Sequence, residues 1–337
     1  MRIFPTLVSA LVVFSGSARS HPNHAERSPY VAARSLGRCV DDLREQGSEA
    51  QIVRRRAELV TQLTRDRHTF QQEGSPLNIS HLSPGGINLS SPEARIFATN
   101  ASCALSFQAT VGNQYVAGEY FRQDVVEGQE GVPVTIMIQV VDSTTCLPLG
   151  DMFVEVWSAN STGAYGGVSS NNASQESGDP NLQNTMLRGV QETDYLGIVT
   201  FHTIFPGHYS VRANHIHVMI HPVATKAEKN GTLLDLSYSS VGQVFFDQAL
   251  VLEIEALPIY AANKQPLTLN QDDGLIQQEL GNGSDPFVDY VRLGEVIEDG
   301  LLAWYVFGIN TSARAHAEPA SVFHPDGGVS TSKFNSK

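Results

Sequence analysis

Cysteine is scarce in this sequence, and its scarcity excludes two classes of protein. The 337 residues include only three cysteines, Cys39, Cys103 and Cys146, and these lie far apart. Disulfide-stabilised small domains and zinc domains built from cysteine pairs both need more cysteines at closer spacing. In an oxidising compartment one pair is expected to form a disulfide, and the sequence leaves open which pair.

Basic residues and long apolar runs are also few. The chain has 22 lysine and arginine residues against 35 aspartate and glutamate residues, which gives a net charge of −13. Such an acidic chain is a poor match for a polyanion, so no nucleic acid partner is expected. After Phe14 no stretch is apolar enough to predict a membrane-spanning helix, so no membrane partner is expected either.

The one long apolar run, from Ile3 to Phe14, has the pattern of a signal peptide. Arg2 precedes the run, and the sequence around Ala18-Arg19-Ser20 offers a cleavage site before His21. The run is too short to span a bilayer comfortably. Residues 1–20 are therefore predicted to be a signal peptide, and a buried N-terminal helix is the alternative.

Asparagine occurs repeatedly in the sequence Asn-x-Ser/Thr, which accepts N-linked glycans in secreted proteins. The number of these sequons exceeds what random placement would give. Together with the signal peptide pattern, they predict a secreted, N-glycosylated protein. The sequons lie at Asn78, Asn88, Asn100, Asn160, Asn172, Asn230, Asn282 and Asn310.

Residues 21–105 are predicted to form an N-terminal helical arm and linker. From Ser35 to about Gly74 the chain lacks proline and is rich in Glu, Arg, Gln and Leu, with apolar residues at roughly helical spacing. From Ser75 to about Asn100 it becomes rich in Gly, Pro, Ser and Asn, which is typical of a linker or surface loop. The helices could pair two subunits in a homodimer or pack on the protein's own core, and both alternatives stay open.

Residues 106–312 have the patterns of a mainly β domain. The segment "GVPVTIMIQVVD" alternates apolar and polar side chains with period two, and several later segments do the same. Turn signals separate these segments, including a tight turn at Thr193–Gly197 and a type II turn centred on Pro206 and Gly207. The prediction is an antiparallel β-sandwich core with the helical arm, long loops and a flexible tail over residues 313–337.

The segment "FPGHYSVRANHIHVMIHP" concentrates histidine. In a strand, His215 and His217 share one face with Cα atoms about 6.6 Å apart, so their imidazoles can converge on one ion. His221 has the same parity but lies about 13 Å farther along the strand, so it is predicted to be scaffold, as is His208. Two alternate histidines are a weak signal by themselves.

Two tyrosines strengthen the case for a metal site. Tyr209 directly follows the Pro-Gly turn, and Tyr165 lies in a glycine-flanked loop after a strand that ends near Trp157. A phenolate is a hard anionic ligand, and it binds a strongly acidic metal such as Fe(III) rather than zinc. The alternative, favoured on spacing alone, is that Tyr165 and Tyr209 are ordinary half-buried aromatic residues at strand ends.

The same segments make the chain resemble the intradiol ring-cleavage dioxygenases, which cleave catechols, and in particular their secreted fungal relatives. The motifs W…G-x-Y, R-G-x-Q-x-T-D-x-x-G, P-G-x-Y-x-x-R-x-x-H-I-H and G-Q-x-F-F occur here in the family's order, between about Glu119 and Leu250. This combination is far more specific than two alternate histidines. The resemblance implies a β-sandwich fold, in agreement with the alternation.

The resemblance also implies a mononuclear non-haem Fe(III) held by four ligands. Tyr209 and His217 match the axial ligands, and Tyr165 and His215 match the equatorial ones. In the implied reaction the catechol binds through both oxygens and displaces Tyr209, which takes up a substrate proton. O2 then opens the ring between the two hydroxylated carbons to give a muconate-type diacid.

Further positions match residues of the family's substrate pocket. Arg212 matches an arginine that faces the substrate and stabilises charge on the ring, and Gln243 matches a glutamine of the same pocket. One stretch departs from the family's pattern: "VGNQYVAGEY" places Gln114 where relatives have a pocket tyrosine, and only Tyr115 remains aromatic. The change at Gln114 puts the substrate range in doubt.

The proposed ligand set requires that the backbone between Tyr209 and His215 is not a straight strand. In one straight strand, Tyr209 and His215 would lie about 20 Å apart and could not share an ion. The chain is therefore predicted to bend or bulge within Ser210–Asn214.

A secreted Fe(III) dioxygenase acting with O2 on a small catechol is the leading hypothesis. The alternatives are a secreted β-sandwich that binds iron or phenolic ligands without efficient turnover, and a plain glycosylated interaction module.

Overall fold

The computed structural model describes residues 75–97, 111–145, 147–168, 180–222, 225, 227–323 and 329–331. The predicted signal peptide, the helical segment 35–74 and all three cysteines lie outside these ranges, and so do the sequons at Asn100 and Asn172. The described residues belong to one compact unit, Ala32–Lys337. Within them no helix is long and apolar enough to cross a membrane.

The domain is mainly β, which confirms the predicted fold class. The alternating segments of the sequence form the longest strands. The strands, in chain order, are β1 (Val116–Ala117), β2 (Glu119–Tyr120), β3 (Pro133–Asp142), β4 (Phe153–Ser158), β5 (Arg188–Glu192), β6 (Ile198–Ile204), β7 (His215–His221), β8 (Thr232–Leu233), β9 (Ser237–Tyr238), β10 (Ser240–Phe245), β11 (Asp289–Arg292), β12 (Leu301–Ile309), β13 (Ala315–His316), β14 (Ser321–Phe323) and β15 (Val329–Thr331).

Helices in the described residues are short and lie mostly after β10. Gln248–Glu255 and Gly274–Gly281 are the two longest, at about two turns each. The α-helices are α1 (Glu93–Ile96), α2 (Gln248–Glu255), α3 (Pro258–Ala261) and α4 (Gly274–Gly281). Single 3-10 turns occur at Pro76–Asn78, Pro180–Gln183, Asn270–Asp272 and Ile297–Asp299.

Two four-stranded sheets form the body of the domain. The histidine sheet has the strand order β10-β7-β4-β5, and every neighbouring pair in it is antiparallel. The back sheet has the order β11-β12-β3-β6. Its β12–β3 pair is parallel over nine residues, whereas its other pairs are antiparallel. The sandwich is thus antiparallel apart from this one ladder.

The two sheets enclose one large apolar core. Alternate side chains of β7, Ile216, Val218 and Ile220, are buried in it together with residues of β3 and β12 from the back sheet. Because side chains alternate along a strand, the other set on β7 faces away from this core. That set consists of His215, His217, Met219 and His221. It lies on the outer face of the histidine sheet, where residues from both earlier and later segments pack beside Met219.

The segment 75–97 packs against the sandwich, although its composition is that of a linker. Leu82 forms a parallel bridge with Tyr290 of β11. The buried His81 lies between Asp247 and Asp285, with its Nδ1 on Asp247 and its Nε2 on Asp285 at 3.1 Å. The ion pairs of His81 could not be predicted from the polar, glycine-rich sequence around it, because its partners lie 166 and 204 residues away in the chain.

The prediction of a flexible tail from residue 313 is wrong for residues 315–323. There β13 pairs with β9, and β14 pairs with β1. Ala317 and Val322 are buried in an apolar cluster on the outer face of the histidine sheet. The tail's polar composition hid these contacts, because two short strands with a few buried side chains give almost no periodic signal.

Of the two predicted turns, one is confirmed and one is corrected. Gly197 N–H donates to Asp194 C=O at 2.9 Å, with Gly197 in the left-handed region at φ 73°, as the tight turn requires. The turn at Pro206–Gly207 is not type II, because Gly207 lacks the positive φ of that type. Glycine is needed there for space: a Cβ at Gly207 would lie 2.4 Å from the Asn160 carbonyl oxygen.

Candidate active site

The first part of the site is the start of β7. His215 and His217 are buried on the outer face of the histidine sheet, as the period of two predicts. His217 is paired in register with Trp157 of β4 and Gln243 of β10. The indole ring of Trp157 stacks on the His217 imidazole, with centroids 4.6 Å apart and planes within 9°. The sheet therefore fixes both the position and the plane of this imidazole.

The second part is the irregular backbone before β7. The strand begins only at His215, and a tight turn closes between Tyr209 and Arg212, whose N–H donates to the Tyr209 C=O at 3.2 Å. Val211 in this turn has φ 65°, a left-handed conformation that is unfavourable for a β-branched residue. The predicted bend is confirmed, and it brings the Tyr209 hydroxyl to 3.3 Å from His215 Nε2.

The third part is the loop after β4, which carries the buried Tyr165. Asn181 Nδ2 donates to the Tyr165 C=O at 2.7 Å, and the fully buried Arg188 donates through Nε to the Gly166 C=O at 2.8 Å. A Cβ at Gly163 would lie 2.1 Å from the His208 carbonyl oxygen. Only glycine therefore allows the Tyr165 loop to approach the turn before Tyr209 so closely.

These three parts bring four donor atoms together. Tyr165 Oη and Tyr209 Oη lie 3.5 and 3.3 Å from His215 Nε2, and His217 Nε2 lies 3.1 Å from the same nitrogen. Two ligands at right angles and about 2.1 Å from a metal are about 3.0 Å apart. The separations therefore match the edges of one coordination polyhedron, and a mononuclear metal fits this donor set.

The protonation of the histidines also suits metal binding. Burial lowers the pKa of His215 to about 3, and burial together with the neighbouring His215 lowers the pKa of His217. Both imidazoles are thus neutral at pH 7. The Nδ1–H of His215 donates to the Ala213 C=O at 2.6 Å, which leaves the Nε2 lone pair directed at the other three donors.

The phenols restrict which metal can bind. Burial raises the pKa of Tyr165 and of Tyr209, so in the protein alone both remain protonated at neutral pH. A cation that binds them as phenolates has to be acidic enough to offset this burial. Two phenolates and two imidazoles form a hard, anionic donor set that suits Fe(III). Among the residues that the structure describes, no group of three or more His, Cys, Asp or Glu side chains could hold a metal ion.

Arg212 links the turn to Gln243 of β10. Its Nη1 donates towards the Tyr209 hydroxyl at 3.4 Å, and its Nη2 donates to the Gln243 Oε1. The Gln243 Nε2 lies 3.4 Å from His217 Nδ1. Arg212 and Gln243, both predicted as catalytic, are therefore bonded to each other, and each lies beside one of the proposed ligands.

Gln114 and Tyr115 lie on a segment that packs against His217. A Cβ at Gly112 would be 3.6 Å from His217 Cε1. Gln114 is buried, its C=O accepts from Arg188 Nη2 at 2.7 Å, and its Oε1 has no hydrogen-bond partner. The Tyr115 hydroxyl donates to Glu155 at 3.3 Å, and its ring lies 5.3 Å from Trp157. Contact of either side chain with a substrate stays a prediction.

Two residues of the site were missed in the sequence. Arg188 occupies the first position of the R-G-x-Q motif, but the motif alone assigns it no role. The buried guanidinium holds both the Gln114 and the Gly166 carbonyls, and its carbon lies 5.8 Å from the centroid of the Tyr165 ring. Asp273, the partner of Arg212 Nε, lies sixty-one residues after Arg212, and its sequence context predicts only a helix N-cap.

The chain matches a known family model. The model described as "Dioxygenase" matches residues 111–244. This range contains all of the proposed metal ligands as well as Arg188, Arg212 and Gln243. A comparison with curated proteins finds no match.

Solved structures with similar folds are also dioxygenases by name. An intradiol ring-cleavage dioxygenase from Tetranychus urticae is 28% identical, with a TM-score of 0.52, and the match covers 63% of this chain and 98% of that one. The dioxygenase domain of a carbohydrate-binding fusion from Streptomyces sp. SirexAA-E is 20% identical (TM-score 0.40; 60% and 97% covered). Catechol 1,2-dioxygenase from Pseudomonas arvilla C-1 is 20% identical (TM-score 0.37; 63% and 67% covered). Only the first of these similarities is strong enough to support inferences about this chain.

Proposed function

Because this chain belongs to the intradiol ring-cleavage dioxygenase family, we propose that it is a secreted, Fe(III)-dependent enzyme that cleaves a catechol. The ring opens between the two hydroxylated carbons, and both atoms of O2 enter the muconate-type product. One observation carries the proposal: the hydroxyls of Tyr165 and Tyr209 and the Nε2 atom of His217 all lie 3.1–3.5 Å from His215 Nε2.

The metal and the protein have separate tasks in this reaction. Fe(III) held by the four donors supplies the Lewis acidity and the redox chemistry that catechol needs to react with O2. Tyr209 is the ligand best placed to exchange with substrate, since it lies on the exposed turn and is only partly buried. The Tyr209 hydroxyl oxygen would accept a proton from a bound catechol, and Arg212 Nη1 lies 3.4 Å from that oxygen.

Arg212 provides a fixed positive charge beside the substrate position. Its guanidinium is held at Nε by Asp273 and at Nη2 by Gln243, so it cannot rotate away as negative charge develops on the ring. Charge that is already oriented stabilises a transition state without reorganisation. The buried Trp157 stacks on the His217 imidazole and limits water on that face of the ring.

Oxygen uptake tests the activity directly. The purified, iron-loaded protein is expected to be reddish from tyrosinate-to-iron charge transfer and to consume O2 with catechol, giving a product that absorbs like a muconate. Iron binding with the colour but without O2 uptake would favour the alternative of an iron- or phenolic-binding β-sandwich. A colourless protein that takes up no iron would contradict both.

Arg212→Ala separates the charge of Arg212 from metal binding. The variant should retain its iron and lose about 100-fold or more in kcat, which is the usual effect of removing one preorganised donor. Arg314→Ala is the control, since Arg314 is an exposed arginine that bonds the Thr311 and Ala313 carbonyls near β13. Equal loss of iron in Arg212→Ala would assign Arg212 to metal binding instead.

Secretion is proposed from the signal peptide pattern and the sequons. Five sequon asparagines of the described residues are exposed: Asn78, Asn88, Asn230, Asn282 and Asn310. Asn160 differs, because its Nδ2 donates to Gln129 and its Oδ1 accepts from Thr162 and Ala164. Peptide mapping of protein secreted from a eukaryotic host should find glycans at the five exposed sites and none at Asn160. Retention of the chain inside the cell would contradict secretion.

A homodimer formed through the predicted helices of residues 35–74 is also part of the proposal. The helices lie outside the described residues, so the support is the sequence pattern alone. Light scattering on the full-length secreted protein should give twice the mass of one glycosylated chain. A single-chain mass at micromolar concentration would contradict the dimer and leave the proposed activity unaffected.

A further inference from the structure

Asp273 is a fully buried acid at the start of α4. One of its oxygens, Oδ1, accepts from the N–H groups of Leu275 and Ile276 at 2.9 and 3.2 Å. These N–H groups belong to the first helical turn and have no acceptor within the helix, so Asp273 is the N-cap of α4. An N-cap needs only this one oxygen, and the other carboxylate oxygen is used differently.

The second oxygen, Oδ2, binds the turn that carries the site. It accepts from Arg212 Nε at 2.8 Å and from the Ala213 N–H at 2.9 Å. The C=O of Ala213 in turn accepts from His215 Nδ1. One carboxylate therefore connects α4, the guanidinium of Arg212 and the backbone of Ala213, two residues before His215.

The contact at Nε determines where the rest of Arg212 points. A guanidinium is planar and rigid, so fixing Nε leaves its two other nitrogens little freedom. Nη2 then meets Gln243 Oε1, and Nη1 faces the Tyr209 hydroxyl. The Arg212 side chain is 17% exposed and the Asp273 side chain is 0% exposed, so the carboxylate is fully buried while the arginine is in part open to solvent.

We propose that Asp273 is a positioning residue, which holds Arg212 through Nε so that Nη1 stays beside Tyr209 and the bound catechol. The proposal rests on the function proposed above, because it assigns Arg212 the work on the substrate. The charge of the pair supports it: although burial opposes ionisation, Arg212 lowers the pKa of Asp273, so Asp273 is a carboxylate at neutral pH. A purely structural N-cap would need no partner sixty-one residues away in the sequence.

The test is a double-mutant cycle with an isosteric change. Asp273→Asn can keep the cap through its amide oxygen, but it turns an NH2 group towards Arg212 Nε and the Ala213 N–H, which are both donors. We expect kcat for O2 uptake with catechol to fall about 10- to 100-fold. Substitutions of residues that orient the groups around a metal usually have effects of this size. In an Arg212→Ala background the same substitution should change kcat less than about 2-fold, because the two residues act through one contact. Iron content should be the same in all variants.

The control variants separate positioning from folding. Asp272→Asn changes the same charge at the exposed neighbouring residue and should leave kcat within about 2-fold, as for an unconnected surface site. Asp273→Ser retains an N-cap hydroxyl for α4 but is too short to reach Arg212, so it should lose kcat like Asp273→Asn while α4 stays capped. This second variant also keeps the proposal testable if Asp273→Asn folds poorly.

A measurement on the iron-free protein is independent of activity. In 15N-labelled protein the Arg212 Nε–Hε signal, assigned by its loss in Arg212→Lys, should be sharp and protected from exchange. In Asp273→Asn it should broaden or disappear. An unchanged signal, or an equal loss of kcat in both backgrounds of the cycle, would overturn the proposal. If the iron-loaded wild type consumes no O2 with catechol, the proposed function fails, and the Nε–Hε signal still decides the contact.

Discussion

Histidines at the two ends of β7 share one face of the sheet but have different surroundings. At the start of the strand, His217 Nε2 lies 3.1 Å from His215 Nε2, in a group completed by two phenols. At the far end, His221 Nε2 lies 2.9 Å from a carboxylate oxygen of Glu155, and its Nδ1 is bonded to the Ser237 C=O. The imidazoles at both ends are buried, so burial does not distinguish them.

The partner of each imidazole makes the difference. In this protein His81, His208 and His221, the paired histidines, each contact a carboxylate and a second acceptor. Burial alone would lower the pKa of His81, but its hydrogen bonds to Asp247 and Asp285 raise it to about 10. The site histidines, His215 and His217, have lowered pKa values and Nε2 atoms that face other donors. A paired histidine thus serves the scaffold, and one without a carboxylate partner is available to a metal.

Removing a site histidine should have the largest effect. His217→Ala is expected to reduce iron affinity by at least about 100-fold, because one of four ligands is lost. Metal analysis after dialysis and the visible absorption band provide the measurement. His221→Gln is the matched control on the same strand face: it should keep full iron content and lower the free energy of unfolding by about 2 kcal/mol. Loss of iron in both variants would remove the distinction between the two ends.

The second prediction concerns the ion-paired His81. His81→Gln leaves the buried Asp247 and the partly buried Asp285 without their histidine partner, so the free energy of unfolding at pH 7 should fall by about 3 kcal/mol. The folded pKa of His81 is raised, so its contribution is complete below about pH 6.5 and is lost as the pH rises through about 10. Urea unfolding of wild type and variant should therefore converge above pH 10. A difference that is constant with pH would show that His81 is neutral in the fold.

His208 should show a smaller effect than His81. Although it directly precedes Tyr209 in the chain, its Nδ1 is bonded to Glu255 at 2.8 Å and its Nε2 to the Gln265 C=O at 2.9 Å. His208→Gln should cost about 1–2 kcal/mol of stability and leave the visible band of the iron-loaded protein unchanged. A shifted band would place His208 within the metal site, against its pairing in the structure.

The smallest effect is expected for the stacked indole. Trp157→Phe keeps an aromatic ring on His217, and it removes a buried indole N–H that has no hydrogen-bond partner. The gain from removing this group and the loss of contact area nearly offset each other, so stability should change by less than about 1.5 kcal/mol. Iron content should not change. A large loss of iron would show that the plane of His217 depends on the full indole.

The candidate site was predicted from the sequence more completely than its supporting contacts. The motif around Tyr209, Arg212, His215 and His217 is one short segment, and strand geometry alone required a bend in it. The supports of Arg212 and Tyr165, by contrast, are Asp273 and Arg188, which come from distant segments. Neither residue carries a local pattern that indicates its partner. A buried arginine and a helix N-cap are each consistent with many tertiary environments.

The sequence by itself determined the period-two core and the resemblance to the dioxygenase family, and it proposed the residues of the candidate site, because alternation and motif spacing are local properties. Only the tertiary structure decided which histidines are paired with carboxylates, how residues 315–323 join the domain and why Gly163 and Gly207 are glycines. Each of these depends on contacts between segments that lie far apart in the chain. Such contacts are selected by close packing and by the need of buried polar groups for partners, and neither is written in the local pattern of residues.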